Sequence, residues 1–193
     1  MKWVVRVAAL LAATIGIIVV VGWLLPETHV ASRSAEFRAS RDTVWGLITD
    51  VSSMPAWRSD LERVDVLPAV DQQFAWRETS RGGDALTFVR VEARPPDLLR
   101  TSILDEGGPF GGEWVHDLGP GEQGGTRLTI TERGWVRNPV FRFISQLVIG
   151  HNATIDSYLS ALALKLGESI TIEDVAPSKN DPAAAAARQV QLP

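Results

Sequence analysis

One stretch limits everything else this chain can do. Val7 to Leu25 reads "VAALLAATIGIIVVVGWLL", nineteen residues with no charge and a single Thr. As a helix it spans roughly 28 Å, close to the hydrocarbon thickness of a bilayer. No face of it is polar, so it does not read as an amphipathic helix half-buried in a soluble core. Lys2 and Arg6 precede it, and Trp3 and Trp23 sit near its ends, where interfacial side chains anchor a span. A secretory signal has a shorter apolar core, about 7–15 residues, and a small-residue cleavage site. Here only Val30-Ala31-Ser32 is passable as such a site. The expectation is an uncleaved, single-pass anchor over residues 1–27. Lys2 and Arg6 favour a cytoplasmic N-terminus with the domain on the extracytoplasmic side, although Arg33, Arg38 and Arg41 pull the other way.

The remainder must fold without that run. The full chain has 193 residues and a net charge of −4, room for one ordinary domain plus extensions. Mild acidity and scattered Arg argue against nucleic acid, which demands a basic patch. There is no Cys, so disulfides, thiolate metal sites and a Cys nucleophile are excluded. His29, His116 and His151 are far apart and show no metal-ligand spacing, so neither a metal nor a cofactor is expected. "GPGEQG" formally matches GxGxxG, but it joins two strand-like runs and opens no helix, so it reads as a turn.

From His29 to Arg38 the residues alternate as a strand. Ser40 is a suitable cap for a helix from Arg41, with Val44, Leu47, Ile48 and Val51 on one face. "SMPAWRSDL" reads as a second short helix capped by Ser53, with Pro55 in its first turn. Strand signals follow: "LERVDVLP", a hairpin of "QQFAWRETS" and "DALTFVRVEA", then "LLRTSILDE", then a hairpin of "GEWVHDLG" and "TRLTITERGWV". This amounts to about six or seven antiparallel strands. Asn138-Pro139 then opens one long helix with a stripe of Val140, Phe143, Ile144, Leu147, Val148, Ile155, Leu159, Leu162 and Leu166, open to interruption at Gly150. A short extended piece, "SITIEDV", comes next. The end, "PSKNDPAAAAARQVQLP", has little to bury, so residues 169–193 are expected to form a disordered tail. The fold class is α+β, with a curved antiparallel sheet around one long helix that leaves a cavity between them.

Two stretches carry a family resemblance. "SRDTVWGLITDVSSMPAWRSDLERVDVL", with Trp45, Asp50, Pro55 and Trp57 in order, and "GGTRLTITERG" before the terminal helix resemble the START-like helix-grip superfamily (SRPBCC), in its polyketide cyclase/dehydrase and lipid-transport branch. The resemblance covers about Val30 to Glu168, within a helix-grip domain expected over residues 28–168. It implies a hydrophobic ligand held between sheet and terminal helix. It does not fix a reaction, because binders, carriers and enzymes share the fold.

Candidate side chains follow from the pattern. Trp57 is expected as a wedge under the sheet, or as part of a ligand wall with Trp76, Phe88, Trp114, Leu147, Ile155 and Leu159. Phe110, set among four Gly in "DEGGPFGGEW", reads as the plug of a gate. His151 lies next to the helical stripe, as an acid, a base or a hydrogen-bond donor to a ligand. His116 and Glu132 sit on inward faces of partner strands and suit a proton-transfer pair. Arg90, with Glu78 or Glu92, reads as either a polar floor or a solvent face. Three functions stay open: a membrane-anchored binder or carrier of a lipid or other hydrophobic molecule, a polyketide cyclase or dehydratase, and a ligand-free interaction domain. The first is favoured, because a carrier gains from being tethered near its source.

Overall fold

The computed structural model describes residues 2–104, 107–122, 124–150, 152–178 and 180–181. It opens with α1 (Lys2–Leu24), a helix long and apolar enough to cross a membrane. Strand β1 (Thr28–Phe37) follows after three residues. Helix α2 (Arg41–Thr49) starts where Ser40 accepts from the Thr43 amide at 3.3 Å, the capping interaction expected of Ser at that position. A 3₁₀ turn (Val51–Ala56) holds Pro55, and its fixed φ suits that tight winding.

Seven further strands complete the sheet: β2 (Leu61–Val70), β3 (Gln73–Ser80), β4 (Ala85–Arg94), β5 (Leu98–Ile103), β6 (Phe110–Pro120), β7 (Thr126–Val136) and the short β8 (Ile172–Asp174). The order across the sheet is β2-β3-β4-β5-β6-β7-β1-β8, with every pairing antiparallel. Irregular pairings in β2, beside Leu61 and Leu67, and in β4, between Arg90 and Glu92, sharpen the twist and let the sheet curl. Helix α4 (Ala153–Leu166) lies in the concave face, with Ile155, Leu159 and Leu162 fully buried. This is the helix-grip architecture, with β8 as one strand more than the sequence pattern counted.

The long terminal helix is divided. Asn138 caps α3 (Pro139–Ile144) by accepting from the Val140 and Phe141 amides, and a π-helical turn (Ser145–Ile149) follows. Gly150 then takes φ 83° and ψ 149°, a conformation that L side chains avoid, and the chain restarts in a new direction. The apolar stripe is therefore split. Its second half fills the grip, while Val140, Ile144 and Leu147 remain exposed beside α1.

The segment read as tail is partly structured. Beyond Glu168, β8 pairs with β1, and the Ser178 amide donates to Thr131 Oγ1 at 3.0 Å. Arg133 Nε donates to Asp181 Oδ1 at 2.7 Å, so the described residues from β8 to Ser178, with Asn180 and Asp181, run along the edge and outer face of the sheet. Polar hooks hold this stretch, and hydropathy does not reveal them.

Candidate functional site

Alternation along the strands decides what faces α4. Across neighbouring strands the register aligns Leu99 with His116 and Ile130, and Thr101 with Trp114 and Glu132. Trp76 and Phe88 are likewise partners on β3 and β4. These positions form the inner face, and α4 presents Tyr158 to it.

Tyr158 is the hub. Its ring meets Trp57 edge-on at 5.4 Å, Trp114 edge-on at 5.6 Å and His116 at 5.7 Å. Arg58, directly after Trp57, places its guanidinium 5.6 Å from the Tyr158 ring centre. It also donates to Glu78 Oε2 at 2.8 Å, and Glu78 Oε1 accepts from Trp76 Nε1 at 3.0 Å. Trp76 stacks on Phe88 at 5.5 Å. Phe74 lies 5.8 Å from Trp76, so one connected group joins seven aromatic rings and a buried ion pair. Burial pushes the Tyr158 hydroxyl pKa well up, so it is a neutral phenol. Burial also opposes the Arg58 charge, but Glu78 and Asp60 more than offset this and raise its pKa. His116 is desolvated and has Arg58 nearby; a hydrogen bond to the Leu99 backbone offsets this only in part, and its pKa falls to about 4. It is a neutral imidazole at ordinary pH.

Trp57, Trp76, Ile155 and Leu159 lie in the buried cluster, with Phe88 and Trp114 half-buried against it. Leu147, expected in the wall, is 58% exposed on the π turn, and Phe110, expected as the plug of a gate, is 40% exposed at the start of β6. His151 and the side chain of Val148 fall outside the described residues. The expected pair of His116 and Glu132 is not assembled. Glu132 instead meets His29, with Nε2 to Oε1 at 3.4 Å, because β1 brings His29 to the same end of the sheet. Arg90 joins neither expected carboxylate. Glu78 is held by Arg58, and the irregularity before Glu92 turns that carboxylate toward Arg100 at 3.0 Å. Arg90 instead lies over the Phe74 ring at 4.5 Å and donates to the Thr49 carbonyl at 3.2 Å. Tyr158, Arg58 and His29 were missed in the sequence. The signal for Tyr158 was present: it is the chain's single Tyr, three residues after Ile155 on the buried stripe.

Four buried polar atoms on this face have no hydrogen-bond partner: Trp57 Nε1, Arg90 Nε, His116 Nδ1 and Glu132 Oε2. Native interiors pair nearly all such groups, so each of these atoms is open to a water or to a polar group of a ligand. Side chains from α4, among them Ile155, Tyr158, Leu159 and Leu162, reach into the grip. A depression of about 460 Å³ lies between the 3₁₀ turn and the end of α4, lined by Pro55, Trp57, Arg81 and Leu164. Another, of about 300 Å³, lies by Glu36, Arg127 and Glu173. Neither is lined by Trp114, His116 or Tyr158. Trp57 alone among the aromatic group belongs to both the buried cluster and the larger depression. Among the described residues no group of acidic or His side chains has the makings of a metal site.

Known proteins share this architecture at low identity. A conserved protein from Geobacillus kaustophilus superposes with a TM-score of 0.58 at 19% identity, over 75% of this chain and 99% of that one. Norcoclaurine synthase from Thalictrum flavum gives 0.57 at 12% identity, over 74% and 88%. A START superfamily protein from Mycobacterium smegmatis gives 0.53 at 18% identity, over 72% and 97%. At such identities the likeness shows the fold alone. No curated protein matches the chain. The family profile described as "Polyketide cyclase / dehydrase and lipid transport" matches residues 28–163, from the start of β1 to the last turn of α4. The chain therefore belongs to the polyketide cyclase/dehydrase and lipid-transport family, a START-like family that suggests a hydrophobic ligand or polyketide-cyclase-like chemistry.

Proposed function

We propose that this protein is a membrane-anchored binder, or carrier, of a lipid or other hydrophobic small molecule that carries one or two polar groups. The observation that supports it is the set of unpartnered buried atoms on an otherwise aromatic face: Trp57 Nε1, His116 Nδ1, Arg90 Nε and Glu132 Oε2. An apolar ligand body suits Trp76, Phe88, Trp114 and Tyr158, and its polar groups would meet those atoms. Trp57 stands between the buried face and the surface depression of about 460 Å³, so its side chain is the natural gate. Catalysis is less favoured, because the carboxylate proposed for His116 pairs with His29.

The anchor reading has its own support. A cut at Val30-Ala31-Ser32 would fall inside β1, where Thr28 already pairs with Trp135 and Ala31 with Glu132. Cleavage there would remove the first residues of β1, which are paired with β7. The extracytoplasmic placement of the domain rests on Lys2 and Arg6 before the span.

The test uses full-length protein in detergent, titrated with a fluorescent fatty acid and a fluorescent sterol. Saturable binding is expected, weakened by Ala163→Phe, because Ala163 on α4 is buried in the core cluster that the ligand would adjoin. Absence of binding by either probe up to its solubility, with the circular dichroism intact, would overturn the reading.

A further inference from the structure

Helix α1 does not end in a free linker. Gly22 is buried against α3, and a Cβ there would collide with the Pro139 carbonyl. Arg142, only 3% exposed, then binds the end of α1 to the domain. Its guanidinium donates to the Leu25 carbonyl at 2.9 Å, to Glu27 Oε1 at 2.8 Å and to the Val136 carbonyl at 3.0 Å. Gln146 Nε2 adds a bond to the Pro26 carbonyl at 2.8 Å. The Leu25 carbonyl belongs to the unsatisfied last turn of a helix, where a cation is favourable.

This joint places an apolar surface beside the span. Val140, Phe141, Ile144 and Leu147 recur at helical spacing and are each between 37% and 58% exposed. Phe110 sits at the same end, paired with Val136 just before α3. Trp23 and Leu24, each 73% exposed, are the adjoining residues of α1. In water such a surface is unfavourable, but next to a bilayer-spanning helix it meets hydrocarbon and headgroups instead.

We infer that the surface of α3 and the π turn that carries Val140, Phe141, Ile144 and Leu147 is a second membrane contact, seated in the lipid interface and held there by the Arg142 and Gly22 joint. The occupant is the lipid surface. The anchor reading above is its premise. The domain then stands on the bilayer at one attitude, with the β6 and β7 end of its sheet toward lipid, and does not swing on a tether.

The chain has no Cys, so single labels are clean. Full-length Phe141→Cys, Ile15→Cys and Asp42→Cys carry an environment-sensitive fluorophore and are reconstituted into phosphatidylcholine vesicles with brominated acyl chains. Asp42 is exposed on α2, beyond the far end of β1. Labels at positions 15 and 141 are expected to shift to the blue and lose most of their emission, while the label at 42 stays in water. Leu147→Cys serves if Phe141→Cys fails to fold. Adding Gly22→Leu should reduce quenching at 141 and leave it unchanged at 15. Quenching at 15 with none at 141 or 147 overturns this inference and spares the anchor. Absence of quenching at 15 overturns the anchor, and this inference with it.

Discussion

Trp57 and Tyr158 meet edge-on at 5.4 Å, one from the turn after α2 and the other from the middle of α4. That contact couples the short helices to the terminal helix across the mouth of the sheet. Edge-to-face pairs add to the area that each ring buries. Trp57→Ala is expected to destabilise the protein by about 3–5 kcal/mol, the range for deleting a large buried aromatic. Chemical denaturation of the detergent-solubilised protein measures it, and an unchanged midpoint would show that the contact is dispensable.

The Arg58 and Glu78 pair lies beneath that contact, with side chains 16% and 10% exposed. Glu78→Ala removes the more buried of the two carboxylates that hold the Arg58 guanidinium, leaving Asp60 at 2.7 Å, and takes the acceptor from Trp76 Nε1. Breaking a buried pair from one side costs about 3–5 kcal/mol. Replacing both partners, as Arg58→Met with Glu78→Leu, should recover much of the loss. A double-mutant cycle checks this, and additive losses would mean the pair is not coupled.

His116 makes stability depend on pH. Its pKa falls from 6.5 unfolded to about 4 folded, so between those values the unfolded chain binds the extra proton. Stability is therefore full above pH 6.5 and declines as pH falls through the window toward 4. The contribution lost is at most about 3.4 kcal/mol, from 1.36 kcal/mol per pKa unit. Unfolding free energies measured across that range for the protein and for His116→Leu should converge in slope if other groups dominate, and diverge if His116 does.

Gly150 joins the π turn to α4 at φ 83° and ψ 149°. Any L side chain there is strained by about 1–3 kcal/mol. Gly150→Ala is expected to lower the thermal midpoint accordingly. A midpoint equal to that of the parent would mean the joint relaxes freely.

The sequence revealed the grip because its signals are local. Ser40 before α2, Asn138-Pro139 before α3 and the alternating strands each declare themselves within a few residues. The site was less legible because its key pairings cross the chain. His29 meets Glu132 over 103 positions, a relation that only the β1 and β7 register creates. Arg90 and Glu92 look like neighbours on one face until the irregular pairing between them sends one inward and the other to Arg100. Leu147 fits the helical stripe by spacing, and Gly150 marks where that stripe can break, but spacing alone does not say which half stays outside the grip.

The short strand β8 has a consequence for the fate of the protein at high concentration. By pairing with β1 at Arg33, Ser34 and Ala35, it covers hydrogen-bonding groups along that edge of the sheet. The opposite edge, β2, carries Glu62, Arg63 and Asp65, charges that discourage a second copy from adding a strand. A chain cut after Gly167 would keep its core helix and its aromatic group. It would also offer β1 as an open template, and edge-to-edge growth of the sheet from one molecule to the next is the expected result.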